Sequence, residues 1–196
     1  MKNFIVFCFA RTGSYRLIDV LNHQDDVIAY GEIFKPNSFE VSQDILEQIN
    51  YEKSNFLKRD KAPIHFYKKL ARLHEDKKFG FKIFPNHNDR VLKYLAKHED
   101  IIKIFLVRNP VQTYISEKVA RASDQWVVKE GFKRRNSEVT VKFDVESFSQ
   151  HLRYRIAWYS YIKSLSTLSG SKIHTIDYFD SLDDDYLNNF FNSIGT

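Results

Sequence analysis

Apolar and polar positions divide the chain into short, nearly continuous apolar runs and longer stretches of helical spacing. Residues 3–9 form one such run, with β-branched and aromatic members, the pattern of a strand buried on both faces. It ends at Arg11-Thr12-Gly13-Ser14, after which Leu17, Ile18 and Leu21 fall at helical spacing, with Ser14 as the expected N-cap. A second run over 79–84 stops at Pro85 and precedes a helix from about Asp89, striped by Val91, Leu92 and Leu95. The run over 101–107 is the most strand-like of all, and Arg108-Asn109-Pro110 then opens a helix reaching about Ala122, with Pro110 in its first turn. After the polar segment 129–142, the spacing predicts a long helix over 145–168, a break at Gly170 and a strand over 172–176. Asp183 to Asp185 lead into a closing helix carrying Leu187, Phe190 and Phe191. Residues 35–73 show helical patches at 45–49 and 64–73 but no strong strand, and read as a mostly helical insertion.

Strands alternating with helices imply right-handed crossovers and a parallel sheet covered on both faces. The expected fold is therefore α/β, a three-layer, P-loop-like parallel sheet flanked by helices, in a single domain over 1–196. Ligands of such sheets bind outside the carboxyl ends of the strands, which marks the turns after Phe9, Phe84 and Val107.

Composition narrows the choice. With 43% apolar and 15% aromatic residues the chain can fill a sizeable core, and with only 6 Gly and 4 Pro it is neither collagen-like nor low-complexity. The surplus of 30 Lys and Arg over 25 Asp and Glu is spread along the chain; it favours an anionic ligand without choosing among nucleic acid, membrane surface and a small phosphate-bearing molecule. The single cysteine, Cys8, sits in an apolar run, so core packing and a reducing compartment are expected. The apolar stretch over 4–10 is too short to span a membrane, and no A-x-A-like cleavage site follows it; a cytoplasmic protein is expected. The seven His are scattered without a metal-ligand spacing, so no metal site is expected.

Two turns carry candidate chemistry. Arg11, Thr12, Gly13, Ser14 and Tyr15 join a buried strand to a helix, where successive backbone N–H groups and the helix dipole form an anion site. Gly13 permits close approach of a phosphate, and Arg11, Thr12 and Ser14 add a charge and two hydroxyls. The loop lacks the earlier Gly and the following Lys of the nucleoside-triphosphatase motif. Arg108 ends the third predicted strand and Ser116 lies about two helical turns further on, so both can hold one anionic group. Taken singly, Ser14 is also an ordinary helix cap, Arg108 an ordinary salt-bridge residue and Ser116 an exposed hydroxyl. Together the two sites suggest a nucleotide modified at both its 5′ and 3′ ends.

Here the sequence resembles the sulfotransferases that use 3′-phosphoadenosine-5′-phosphosulfate (PAPS). Arg11-Thr-Gly-Ser14 is similar to their 5′-phosphosulfate loop, and Arg108 and Ser116 to the Arg and Ser of their 3′-phosphate motif at the same spacing. Tyr30-Gly-Glu-Ile-Phe34, Gly80-Phe-Lys-Ile-Phe-Pro-Asn-His87 and Ser116-Glu-Lys-Val-Ala120 followed by Trp126 resemble the bacterial branch that sulfates carbohydrates, in the style of lipopolysaccharide and nodulation-factor enzymes. The stretch from Ile173 through Leu182 resembles the family's closing strand. Departures are Tyr15 in place of the loop's second hydroxyl residue, Arg16 where an apolar residue is usual, Phe179 where Glu often stands, and a short chain.

The resemblance implies PAPS as donor, a hydroxyl acceptor of carbohydrate or small-alcohol type, and Glu32 as general base, with its pKa raised toward neutrality by apolar neighbours. Arg11, Lys82 and His87 are further catalytic candidates; Lys82 equally reads as a strand residue reaching the surface and His87 as a cap. Trp126 reads as a base-stacking or cleft residue or as core, and Lys133-Arg134-Arg135 as a solvated loop or a lid. Two other classes remain open: a P-loop kinase, disfavoured by the missing Lys and magnesium ligands, and a non-catalytic nucleotide- or nucleic-acid-binding module, disfavoured by unclustered basic residues.

Overall fold

A computed structural model describes residues 2–126 and 139–194. Five strands, β1 (Phe4–Phe7), β2 (Val27–Tyr30), β3 (Lys78–Ile83), β4 (Ile102–Val107) and β5 (Ile173–Asp177), form one parallel sheet in the order β2-β3-β1-β4-β5. The helices are α1 (Ser14–Leu21), α2 (Gln43–Gln48), α3 (Phe56–Lys61), α4 (Pro63–Leu73), α5 (Asp89–Lys97), α6 (Pro110–Ser123), α7 (Val145–Leu168) and α8 (Asp184–Ile194). The expected three-layer α/β arrangement with a helical insertion is present.

The period-two geometry of β1 explains the layers. Ile5 and Phe7 face a core shared with α4, α5 and α7, through Phe66, Leu95, Trp158 and Ile162. Phe4 and Val6 face the opposite core, with Leu17 and Leu21 of α1 and Leu187 and Phe191 of α8. A central strand buried on both sides must read as a continuous apolar run, and this one does. Gly80 on β3 has a specific reason: a Cβ there would collide with the ring of Phe4 on the paired strand.

Two readings of the sequence require correction. The strand β2 was not expected; it is a four-residue edge strand paired only with β3, too short to stand out from its surroundings. Ser14 is not the cap of α1. The N-cap is Gly13, in a left-handed conformation with φ 86°, and Ser14 is the first helical residue. By contrast Asn109 caps α6, accepting from Val111 and Gln112 N–H at 2.9 and 3.3 Å, with Pro110 directly after it.

The strand order places the site. From β1 the chain crosses by α1 to β2, and from β4 it leaves in the other direction toward β5, so the connections diverge at the carboxyl ends of β1 and β4. A crevice opens at such a reversal of strand order. Among the described residues no helix is long and apolar enough to cross a membrane.

Candidate functional site

The loop after β1 turns sharply through Arg11, at φ 69°, and Gly13. A side chain at position 13 would be strained by its φ and would meet the Tyr178 ring at 2.6 and 2.7 Å. Thr12 is buried and its Oγ1 donates to the Phe9 carbonyl at 2.7 Å, so it braces the turn from within. The first N–H groups of α1 have no intrahelical acceptor, and no side chain caps them. The positive end of this helix thus opens into the crevice.

Three sequence-predicted residues meet across it. Arg11 donates from Nε to Ser116 Oγ at 2.8 Å and from a guanidinium nitrogen to the Trp126 carbonyl. Arg108 donates to the Arg11 carbonyl at 3.1 Å and to Gln112 at 3.2 Å, and its guanidinium lies 3.9 Å from the centre of the Tyr178 ring. Positions separated by 97 and 105 residues in the chain are therefore one neighbourhood. Trp126 is on the cleft wall and 41% exposed, which excludes the core reading. Lys133-Arg134-Arg135 lie outside the described residues.

A cleft of about 550 Å³ is lined by Arg11, Arg108, Trp126 and Tyr178 and reaches Glu32, with Arg11, Arg16, Lys35 and Arg108 as its basic residues; Ser116 adjoins it through its bond to Arg11. Arg16 is held at the rim by Asp184, at 2.8 Å. Tyr15, which replaces a hydroxyl residue of the expected loop, turns its ring over Lys82 Nζ at 3.1 Å and donates from its hydroxyl to Glu40 at 3.2 Å.

Glu32, Lys82 and His87 form one cluster. Glu32 is buried, with Oε1 3.5 Å from Lys82 Nζ and Oε2 3.4 Å from His87 Nε2. His87 Nδ1 accepts the backbone N–H of Phe84 at 3.2 Å, so in the neutral ring the proton sits on Nε2, facing Glu32. Lys82 does not reach the surface: its side chain is fully buried, and among the described residues neither its Nζ nor His87 Nε2 has a hydrogen-bond partner. The expected rise of the Glu32 pKa is overturned. Burial raises it, but the polar contact with His87 and the charges of Lys82, His87 and Lys35 outweigh burial and hold the carboxyl below its ordinary value. Lys82 shifts down, since burial outweighs the attraction of Glu32. The carboxylate is thus ionised, with two donor groups beside it.

Sequence reasoning missed the groups that hold this cluster. Glu40 accepts the Glu32 backbone N–H at 2.7 Å and pairs with Lys35 at 3.5 Å. Arg59, fully buried, donates to the carbonyls of Ile33, Lys35 and Ser38, the segment that leads from Glu32 to Glu40. No local pattern marks these residues, because their partners come from the tertiary fold. Tyr178 could have been found from its place just past β5, a strand end on the same sheet edge.

Fold and cleft define a parallel α/β protein whose central-strand loop and neighbouring strand end open onto a basic cleft beside a buried carboxylate. The chain matches no protein-family model and no curated protein sequence.

Proposed function

We propose that the protein is a PAPS-dependent sulfotransferase acting on a hydroxyl of a carbohydrate or small alcohol. The observation that carries this reading is the convergence, in one cleft, of the uncapped α1 N-terminus, Arg11, Arg108 and Glu32, with Ser116 bonded to Arg11 beside it. Exposed N–H groups and basic side chains fit a ligand with two separated anionic groups. When bound, the donor supplies a sulfuryl group and a phosphate leaving group.

In this reading the loop N–H groups of Gly13, Ser14 and Tyr15 hold the 5′ end, with Arg11 and Thr12 shaping the turn. Arg108 and Ser116 hold the 3′-phosphate. Arg11 stands between the two and stabilises charge developing on the leaving side. Glu32, ionised and lining the same cleft, takes the acceptor proton. Lys82 keeps Glu32 charged and counters negative charge at the transferred group, and His87 Nε2, 3.4 Å from the carboxylate, supports its ionised form.

The test has two stages. Thermal shift is measured with adenosine 3′,5′-bisphosphate, with ATP and magnesium, and with an oligonucleotide, in the native protein and in Arg108→Ala. Transfer of labelled sulfate from PAPS into a panel of sugars and alcohols follows. Stabilisation by the bisphosphate, lost in Arg108→Ala, together with label in an acceptor supports the proposal. Stabilisation only by ATP with magnesium, or only by the oligonucleotide, refutes it.

A further inference from the structure

A second cavity, of about 640 Å³, shares Ala10 and Phe84 with the first and extends between α6 and α7. Its walls combine the aromatic rings of Tyr114 and Tyr154 with the polar groups of Asn86, Ser147 and Gln150. Such alternation of ring faces and hydrogen-bonding groups suits a polyhydroxylated ring.

Arg155 gives the cavity a sharper chemistry. Its guanidinium lies 4.3 Å from the centre of the Phe9 ring, and the residue is 8% exposed. Nε donates to His151 Nε2 at 2.8 Å, and Nη2 donates to the Ala10 carbonyl at 3.3 Å. Because arginine can only donate, His151 Nε2 must be an acceptor, which puts the ring proton on Nδ1, 3.6 Å from Glu117 Oε2. Burial first, and then the charge of Arg155, lower the His151 pKa, so the ring stays neutral. Glu117 in turn pairs with Arg121 at 2.7 Å. The chain Glu117–His151–Arg155 fixes the guanidinium, whose Nη1 has no hydrogen-bond partner among the described residues. Lys118 lines the same wall. With Glu117 committed to Arg121, Arg155 and Lys118 leave this cavity a positive excess.

We propose that this cavity is the acceptor subsite and that Arg155 receives a carboxylate of the acceptor, a sugar of the uronic-acid class. The assignment as acceptor subsite rests on the sulfuryl-transfer reading; the binding of a carboxylated sugar does not. A carboxylate suits Nη1 as a charge-assisted partner.

The experiment measures binding without transfer. Protein saturated with adenosine 3′,5′-bisphosphate is titrated calorimetrically with a hexuronate-containing tetrasaccharide and with its carboxyl-reduced counterpart. The native protein is expected to prefer the uronate by about tenfold or more, as one charge-assisted hydrogen bond allows. Arg155→Gln is expected to abolish the preference. Lys118→Gln, which leaves the Arg155 network intact, is expected to weaken uronate binding a few-fold in a salt-dependent manner. Equal binding of the two saccharides, or an undiminished preference in Arg155→Gln, overturns the proposal. Bisphosphate binding without uronate preference overturns the subsite alone. Uronate preference without bisphosphate binding supports the carboxylate site and overturns the sulfuryl-transfer reading.

Discussion

Replacing Arg59 with Met keeps an unbranched apolar stem and removes all five of the N–H donors. In the native protein each donor is used: Nη1 bonds the carbonyls of Ile33 and Ser38 at 2.9 and 2.5 Å, Nη2 bonds Lys35 at 3.0 Å and Asp60 at 3.0 Å, and Nε bonds Asp60 at 2.8 Å. The guanidinium also lies 4.8 Å from the Phe39 ring centre. Water can recover part of the Lys35, Ser38 and Asp60 losses, since those groups are partly exposed. The Ile33 carbonyl, in a fully buried residue, is not recovered. At about 1–3 kcal/mol for each acceptor left without its partner, the loss sums to about 3–5 kcal/mol. That is a large part of the roughly 5–15 kcal/mol by which domains are stable, and in a chain of this size it lowers Tm by about 6–20 °C. Calorimetry checks the magnitude, and hydrogen exchange checks the place: protection is expected to fall first over 31–40. Arg59→Lys, with at most three donors and no planar fork, is expected to recover less than half of the loss. A Tm within about 3 °C of native for Arg59→Met, which corresponds to about 1 kcal/mol, would refute the claim that this residue holds the Glu32 segment.

Gly13→Ala forces a side chain onto φ 86° and into the Tyr178 ring, which Arg108 covers; about 1–2 kcal/mol of backbone strain plus the collision is expected to cost stability and weaken bisphosphate binding at least tenfold, read by calorimetric titration. Glu32→Gln is expected to reduce sulfate transfer by about 10²–10⁴-fold without weakening bisphosphate binding, since it frees Lys82 and His87 for the anion. Because the Glu32 pKa is depressed, its charge is present above the ordinary value of 4.5 and is lost only as pH falls through the lower folded value; the acid limb of kcat/KM for the donor, which reports the donor-free enzyme, therefore lies below pH 4.5, and a limb near neutrality in that parameter would count against Glu32. Burial, opposed by Glu99 and Asp100, lowers Lys103 to about 8 from 10.5, so the unfolded chain holds more protons across that window and stability rises with pH from about 8 to 10.5; denaturant titrations should show this rise in the native protein and its loss in Lys103→Met.

The legible parts of the fold are those whose burial is uniform. Residues 3–9, 79–84 and 101–107 read as strands because both faces of β1, β3 and β4 are covered, and 145–168 matches α7 residue for residue. In β2 the burial alternates over only four residues, and a flanking Asp-Asp pair and a Gly obscure it. Among site residues, Arg11 and Arg108 are legible because they stand in the turns that follow strands, while Glu32 rests on the resemblance and on its apolar neighbours Ile33 and Phe34. Arg59 sits in the charged run Lys58-Arg59-Asp60-Lys61, whose pattern is that of a solvated face. Nothing local distinguishes the one arginine that turns inward to bond carbonyls 21 to 26 residues away. Arg155 and His151 are hidden for the same reason, since a partner at Ala10 lies 145 residues back in the chain.

The cluster around Glu32 is poorly explained as structure alone. Among the described residues two buried donors, Lys82 Nζ and His87 Nε2, lack hydrogen bonds, and each such group ordinarily costs about 1–3 kcal/mol. An apolar residue on β3 and a simple cap at the following turn would avoid that cost. Their distances to the carboxylate, 3.5 and 3.4 Å, are those of charges in contact without closed hydrogen bonds. A closed pair would hold Glu32 so firmly that accepting a proton would break two bonds. In the open arrangement Glu32 is kept ionised by the polar contact with His87 together with the neighbouring charges, and an anion on the neighbouring loop would draw the same donors toward itself and raise the carboxylate's affinity for a proton. The unsatisfied donors therefore make sense if they are shared between Glu32 and an arriving anionic group, which ties the buried carboxylate to the loop of Arg11 to Tyr15 as one site.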